Sequence, residues 1–285
     1  MNNWKDYLTK YRLWRRRWIY PLISLSVAIG LCLSTPLPGK AIDLLPLIFQ
    51  GVQVIQLSNI SDRQEIELGQ QMNDELRSQD VIISSNTAIT RYVDQIGQKL
   101  VANRDRRNIP YTFQVVEDDS VNAFATMGGF VYVNTGLIKT AENESELASV
   151  IGHEIGHIEG KHALKQIRQS AIASGVATLA GVDRNKIVGL GVELALKRPR
   201  SRQDEYDADK RGLNLLTRAG YAQSGMVSFM QKLISNRSVP TILSTHPNSA
   251  DRVKALQKLI AAKPSKSNLG LDTNTYKNTI RTYLR

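Results

Sequence analysis

Apolar residues recur at intervals of three and four in two early segments of the chain, which is the spacing of amphipathic helices. A capping box at Ser61 and Gln64 predicts that the first helix begins there and runs to about Ser78. The second helix is predicted over residues 87–103. Its apolar stripe consists of Ile89, Tyr92, Val93, Ile96 and Leu100.

A segment with strand periodicity follows these helices. Residues 111–116 (YTFQVV) alternate between two faces, as the side chains of a strand do. Residues 122–134 are also strand-like and contain a bend at Gly128 and Gly129. Few strands among many helices predict an α+β fold that is predominantly helical and contains one small sheet.

The rest of the chain is predicted to be mainly helical, up to about residue 262. Asn143 and Glu146 form a second cap pair at its start. Two apolar runs, residues 171–181 and 187–196, are each about half as long as a bilayer span, which favours packed or surface helices. The polar C-terminal tail, residues 263–285, is expected to be loose.

The N-terminus has the three-part pattern of an export signal. Three arginines at 15–17 end a basic segment, an apolar run follows over 18–33, and the small residues Gly39 and Ala41 precede a cleavage point. Residues 1–41 are therefore predicted to be a signal peptide. Because the apolar run is long, an uncleaved signal anchor is the alternative. Either way we expect the protein in the periplasm or another extracytoplasmic compartment.

Residues 42–60 form an apolar segment that is interrupted by Asp43, Pro46 and Gly51. These interruptions make the segment too broken to span a bilayer. We expect it to pack on the domain that follows or to contact a membrane surface. The main domain is predicted over residues 61–262.

The net charge of +11 is unevenly distributed along the chain. Residues 1–41 hold seven basic residues and one acidic residue, which is more than half of the net charge. No basic segment is interleaved with aromatic residues, so we predict no nucleic-acid partner. The single cysteine, Cys32, excludes an intramolecular disulfide and a cysteine-rich zinc site. The oligomeric state has no signature in the sequence.

Three of the four histidines lie in one stretch, HEIGHIEGKH, at residues 153–162. On a helix, His153 and His157 share a face and can bind one zinc ion, and Glu154 lies beside it as a general base. A third protein ligand is needed, because catalytic zinc sites combine three protein ligands with an open position. His162 lies on the opposite face if the helix continues. We therefore exclude it as a ligand and expect it to pair with a nearby carboxylate or carbonyl.

An acidic stretch, SRQDEYDADKRG at residues 201–212, can supply the third ligand. Glu205 and Asp209 are four residues apart and share a helix face. Glu205 can complete the site, although Asp204 and Asp207 are alternatives. Asp209 can accept the free ring N–H of a histidine ligand and so fix its orientation.

Four segments in this order resemble the zinc metallopeptidase family that includes BepA, HtpX and the CAAX prenyl endopeptidases. They are NAFA (122–125) with GG (128–129) and VYVN (131–134), HEIGH (153–157), EYDAD (205–209), where the family has E-x-E-A-D, and the H-P-x4-R pattern from His246 to Arg252. The resemblance covers about residues 60–262. It implies a zincin-type catalytic domain in which the edge strand of a small sheet precedes the HExxH helix.

The resemblance implies one Zn²⁺ per chain, bound by His153, His157 and Glu205, with Glu154 as the catalytic base. It also points to His246. This residue can hydrogen-bond the oxyanion of a tetrahedral intermediate or, as in BepA-like members, reach the zinc and hold the enzyme latent. A third interpretation is that His246 only caps the helix that follows it.

The strand-like segment before the HExxH helix is expected to bind an extended polypeptide substrate by β-augmentation. The alternative is an ordinary buried strand. The residues assigned to substrate binding are Asn122, Ala123, Phe124, Ala125, Val131, Tyr132 and Val133.

These features predict an exported zinc-dependent endopeptidase that hydrolyses misfolded or stalled cell-envelope proteins with a zinc-bound water activated by Glu154. The chain lacks the transmembrane helices of the HtpX-like and prenyl-protease members and the helical-repeat domain of BepA. It therefore resembles the short exported form of the family, and a prenylated substrate is not expected. The alternative is an envelope chaperone or assembly factor that mainly binds client proteins. Glu154 argues against a purely structural zinc module, because such a module needs no base.

Overall fold

The computed structural model of this 285-residue chain describes residues 60–79, 81–104, 109–173, 184–235, 240–247 and 249–284. Three strands, eleven α-helices and one short 3-10 helix, Met127–Gly129, lie in these ranges. In chain order they are α1 (Asp62–Ser78), α2 (Thr87–Val101), β1 (Thr112–Val116), β2 (Ala123–Ala125), β3 (Phe130–Asn134), α3 (Thr135–Thr140), α4 (Glu144–Glu159), α5 (His162–Ala173), α6 (Arg184–Lys197), α7 (Arg202–Arg218), α8 (Ser224–Ser235), α9 (Thr241–Thr245), α10 (Ser249–Ala262) and α11 (Thr273–Tyr283). The predicted export signal lies outside the described residues, as does the apolar segment 42–60 except for Ile60.

The three strands form one small sheet in the order β1-β3-β2, which confirms the predicted α+β class. β1 runs parallel to β3, and β2 runs antiparallel to it, with Phe124 opposite Tyr132. Gly128 and Gly129 turn the chain between β2 and β3 with φ angles of 74° and 94°. Residues with a side chain rarely adopt these angles, so the glycine pair makes the predicted bend possible.

The segment predicted to bind peptide contains β2 and β3, and of these two strands β2 has one side unpaired among the described strands. Val131, Tyr132 and Val133 lie on β3, whose backbone is paired on both sides. The expectation that these three residues bind a peptide by β-augmentation is therefore wrong. The alternation of apolar residues predicted an extended segment but gave no information on which strands lie beside it. β1, which comes earlier in the chain, pairs with the side of β3 that β2 leaves open.

The sheet lies between two hydrophobic clusters. Because side chains alternate along a strand, Val131 and Val133 pack into the larger cluster, while Phe130 and Tyr132 pack into the smaller one. The larger cluster is built mainly from α2, α4, α7, α8, α10 and α11, and the smaller one from α1, α5 and α6. Every residue from 145 to 158 is buried, so α4 runs through the centre of the described structure.

Small residues allow α4 and α7 to approach closely. A Cβ atom on Gly156 would lie 2.6 Å from the carbonyl oxygen of Ala208, and one on Gly212 would lie 2.9 Å from the backbone nitrogen of His153. Both contacts are with backbone atoms, which cannot move aside as a flexible side chain does. The glycines therefore set the distance between the two helices that carry the predicted site.

The predicted helices begin where their capping residues placed them. Ser61 and Gln64 form the reciprocal capping box at the start of α1, and the Asn143 side chain caps α4. The apolar run 187–196 lies in α6, whereas much of the run 171–181 falls outside the described residues. Among the helices of the described ranges, none combines the length and hydrophobicity that crossing a bilayer requires.

The prediction of a loose tail over residues 263–285 is wrong. Asp272 caps α11, and this helix buries Tyr276 and Ile280 in the larger hydrophobic cluster. The Tyr276 hydroxyl donates to the Ile138 carbonyl at 2.7 Å. The tail contains few apolar residues, so its composition suggested a loose segment. Two of these residues are four positions apart, however, and form a short apolar stripe on the helix.

We expect the substitution Gly156→Ala to destabilise the fold by about 1–3 kcal/mol, because the added methyl group meets the α7 backbone and pushes the two helices apart. Chemical denaturation measures this change. Gly189→Ala in α6 is the matched control, since a Cβ there meets nothing within 4 Å. The control is expected to be neutral or stabilising by about 0.4–1 kcal/mol. Equal stability of both variants would contradict the proposed close contact.

Candidate active site

α4 carries three of the predicted site residues at the centre of the structure. The helix is started by Asn143, whose side chain accepts the backbone N–H of Glu146 at 3.0 Å. One turn separates His153 from His157, and Glu154 follows the first histidine directly. All three side chains are buried, and Glu154 is fully buried.

Four side chains from three parts of the chain converge on one point: His153 and His157 from α4, Glu205 from α7, and His246 directly after α9. Nε2 of His157 lies 3.0 Å from Nε2 of His153 and 3.3 Å from Oε1 of Glu205. Nδ1 of His246 lies 3.2 Å from Nε2 of His153 and 3.1 Å from Oε1 of Glu205. Ligand atoms of a tetrahedral metal site with bonds of about 2.0–2.1 Å lie about 3.3 Å apart. The donor set and its spacing therefore fit one divalent metal ion.

Of the three acidic candidates on α7, the structure places Glu205 in this ligand group. Asp204 instead accepts a hydrogen bond from Nζ of Lys165 at 2.6 Å. Asp207 is partly exposed and pairs with Arg211 at 2.6 Å. The difference follows from the helical phase, because Glu205 faces α4 and its neighbours point to either side.

Glu205 is ionised although it is completely buried. Burial raises the pKa of its carboxyl group, but the electrostatic effect of the His246 ring and hydrogen bonds from His153 and His157 outweigh burial and hold this pKa far below its usual range. Nη1 of Arg252 lies 2.5 Å from the second carboxylate oxygen. An ionised carboxylate is the form that binds a metal ion.

Asp209 and Arg252 form a second layer behind His153. Oδ1 of Asp209 lies 2.9 Å from Nδ1 of His153, so this contact directs Nε2 toward the other ligand atoms. Arg252 donates to both Asp209 oxygens, at 2.7 and 2.6 Å. Burial lowers the pKa of His153, but hydrogen bonds to Asp209 and Glu205 outweigh burial and raise it to about 9. A metal ion that binds at neutral pH therefore displaces a proton from this ring.

No role was predicted for Arg252, although it ends the H-P-x4-R pattern. The pattern was therefore a signal for this residue. Its guanidinium lies between Asp209 and Glu205 and balances two buried carboxylates at once. Buried charges of one sign are unfavourable without such a partner.

His162 is the hydrogen-bond partner of His157, with their Nδ1 atoms 2.8 Å apart. α4 ends at Glu159, and the chain turns through Lys161, with φ 53°, before α5 begins. The assumption that the helix continues to His162 is therefore wrong, although His162 still lies outside the ligand group. Its Nε2 atom is 3.2 Å from Oδ2 of Asp207. When Nε2 of His157 faces the metal ligands, its Nδ1–H donates to His162, which in turn donates to Asp207.

Both carboxylate oxygens of Glu154 are buried and accept no hydrogen bond from the described residues. The nearest ring nitrogen of His246, Nε2, lies 3.5 Å from Oε1. A buried carboxylate without a donor is unfavourable, so such a group is retained where a water molecule or substrate supplies the missing partner.

The residues predicted to bind substrate lie on two different strands of the sheet or next to them. Asn122 precedes β2, residues 123–125 form β2, and residues 131–133 lie on the central strand β3. Ala125, at the end of β2, shares a small cavity with His157 and Arg200. Of the predicted residues, Ala125 therefore lies beside the ligand group.

A central buried HExxH helix, an acidic ligand from a second helix and an unpartnered glutamate define a metallopeptidase of the zincin class. The chain belongs to Peptidase family M48, whose sequence profile matches residues 87–260. Its buried histidine and glutamate group fits the divalent metal ion that a metallopeptidase of this family requires.

Individual relatives agree with this assignment. The chain is 30% identical over 213 residues to the beta-barrel assembly-enhancing protease of Escherichia coli (strain K12). The matched residues cover 69% of this chain and 44% of the relative. It is 26% identical over 249 residues to the metalloprotease LoiP of the same organism, covering 83% of this chain and 97% of the relative. It is 34% identical over 151 residues to the mitochondrial metalloendopeptidase OMA1 of Arabidopsis thaliana, covering 52% and 31%. The chain thus spans less than half the length of the beta-barrel assembly-enhancing protease.

We expect Glu205→Gln to lose most of the bound metal, because a neutral amide replaces the ionised ligand. Asp204→Asn makes the same chemical change one residue earlier, outside the ligand group, and should retain the metal. Elemental analysis after dialysis against a weak chelator measures the difference. Equal metal content in the two variants would exclude Glu205 as a ligand.

His162→Gln should weaken metal binding about 10- to 100-fold, because His157 loses the group that fixes its ring orientation. Competition with a chromophoric chelator measures the affinity without any need for activity. Lys165→Gln, one turn later on α5, is the control and should bind metal as the unsubstituted protein does. If His162→Gln lowers the melting temperature but leaves metal affinity unchanged, His162 is only a packing residue.

Proposed function

We propose that this protein is an exported, zinc-dependent endopeptidase that cleaves misfolded or stalled proteins of the cell envelope. The observation that carries the proposal is the buried group of His153, His157 and Glu205 with unpartnered Glu154 beside it. Two imidazoles and a carboxylate suit Zn²⁺, which prefers tetrahedral sites with these donors.

Glu154 acts as the general base and acid in this proposal. Zinc, when bound, supplies a Lewis acid that polarises the scissile carbonyl and makes water more acidic. Glu154 takes a proton from the attacking water and later delivers it to the amine that leaves. Burial of Glu154 without a competing hydrogen-bond donor keeps its carboxylate available for both transfers.

His246 has two possible roles, and its contacts favour the latent one for the arrangement described above. Its Nδ1 atom lies within the ligand group, 3.1 Å from Glu205 and 3.2 Å from His153. A histidine in the fourth ligand position excludes substrate from that position, so the segment that follows α9 must move before cleavage. After such a movement the imidazole is free to hydrogen-bond the oxyanion of the transition state.

Strand β2 and the relatives support the proposed substrate class. An extended peptide that adds to β2 is held by main-chain hydrogen bonds, which are tolerant of sequence and suit proteins that have lost their fold. One relative is named for beta-barrel assembly, which supports an envelope substrate. The export pattern of residues 1–41 supports the same compartment, and the apolar residues 42–60 suit contact with a membrane surface.

A second candidate function is an envelope chaperone or assembly factor that mainly binds client proteins. The position of His246 in the ligand group favours it, because a protein held in this arrangement can bind clients without cutting them. The two functions differ in whether Glu154 is needed for the biological effect.

We expect Glu154→Gln to retain zinc and to lower the rate of casein cleavage by about 10²- to 10⁴-fold, the usual contribution of a general base. Glu159→Gln makes the same change at the end of α4, where the carboxylate accepts a bond from Tyr111 instead, and should remain active. Cleavage by purified Glu154→Gln at the unsubstituted rate would exclude the proposed mechanism. Full rescue of a deletion phenotype by this variant would favour the client-binding function.

A further inference from the structure

The backbone hydrogen bonds of β2 show which of its groups face the unpaired side. Thr126 N–H donates to the Phe130 carbonyl, and Asn134 N–H donates to the Asn122 carbonyl. Residues in an antiparallel strand alternate between facing the partner and facing away. Asn122 and Thr126 face β3, so Ala125, which is an odd number of residues from each of them, points its N–H and C=O groups away from β3. They are the groups that an added peptide strand would use.

Arg200 occupies this unpaired side. Its Nη2 atom donates to the carbonyl oxygen of Ala125 at 3.3 Å. Arg200 is only 6% exposed, and it lines the same cavity as Ala125 and His157. An incoming peptide N–H that paired with the Ala125 carbonyl would have to replace this bond.

The backbone of Arg200 is bonded to the segment that carries His246. Arg200 N–H donates to the Thr245 carbonyl at 3.0 Å, and Thr245 is the residue directly before His246. One residue therefore holds the acceptor on β2 with its side chain and the ligand-bearing segment with its main chain.

We propose that Arg200 is a gate that closes the peptide-binding edge of β2 and holds His246 among the metal ligands, so that peptide binding to Ala125 releases both contacts. This inference rests on the proposed protease function and adds the regulation of its site. The substrate acts through its main chain: its N–H replaces the guanidinium on Ala125. The movement of Arg200 then loosens Thr245 and, with it, His246.

The closed arrangement is suited to displacement. The Nη1 atom of Arg200 is buried and has no hydrogen-bond partner among the described residues. The bond to Ala125 is also long for one with a charged donor, which is usually about 2.7–2.9 Å. A buried donor without a partner destabilises the state that contains it. A peptide N–H that replaces the guanidinium at the Ala125 carbonyl therefore releases Arg200 from an unfavourable position.

The test measures peptide binding separately from cleavage. An unstructured fluorescent casein peptide is titrated into the full zinc-loaded chain carrying Glu154→Gln, with Arg200 either intact or changed to Ala. We expect Arg200→Ala to lower the dissociation constant about three- to tenfold, since the fraction of molecules ready to bind rises. Arg198→Ala is the control: it removes the same charge from an exposed pair with Glu193 and should change nothing.

The coupling to His246 is tested by cleavage in chains with intact Glu154. Arg200→Ala should raise the basal rate of casein cleavage several-fold, and it should raise it much less when His246→Ala has already removed the histidine. Arg200→Gln serves as the second variant if Arg200→Ala does not fold, as judged by its melting temperature.

Two results would overturn the gate. Weaker peptide binding by Arg200→Ala would show that Arg200 holds the peptide itself, and unchanged binding would show that the edge is not closed. Failure of the proposed protease function would be seen in a different measurement. In that case Glu154→Gln, with Arg200 intact, would still cleave casein.

Discussion

The close contact between α4 and α7 is the constraint on which the site depends. His153 and His157 lie on one helix, and Glu205 lies on the other, 48 residues after His157. Glycine at 156 and 212 removes the side chains that would hold the two backbones apart. A shift of a few tenths of an ångström in this contact changes every distance within the ligand group, because metal ligands tolerate deviations of only about 0.2 Å.

The ligands are in turn held by a second layer that differs for each histidine. Asp209 and Arg252 hold His153 through an ionic contact, whereas His162 and Asp207 hold His157 through a second imidazole. Arg252 also neutralises Glu205, so three elements share one buried charge network. A network of this kind is stable only when each charge has its partner, which explains why α10 must dock on α7 before the site is complete.

The ligand group and strand β2 are both in contact with a short part of the structure formed by Arg200, Thr245 and His246. His246 lies among the metal ligands, and Thr245 before it accepts the backbone N–H of Arg200. The side chain of Arg200 covers the Ala125 carbonyl on β2. The ligand group and the unpaired side of β2 are thus connected through Arg200.

Local sequence patterns determined the helix starts, the strand-rich segment and the pair of histidines with their glutamate, because caps and helical spacing act over a few residues. The resemblance to metallopeptidases pointed to Glu205, which spacing alone left beside Asp204 and Asp207. Tertiary structure decided what depends on distant segments. It placed β3 between β1 and β2, ordered the polar tail through Tyr276, and ended α4 before His162. It also brought Arg200 to β2 and Arg252 to Asp209. These contacts join residues 43 to 75 positions apart, and no local periodicity encodes which buried partner such a side chain will meet.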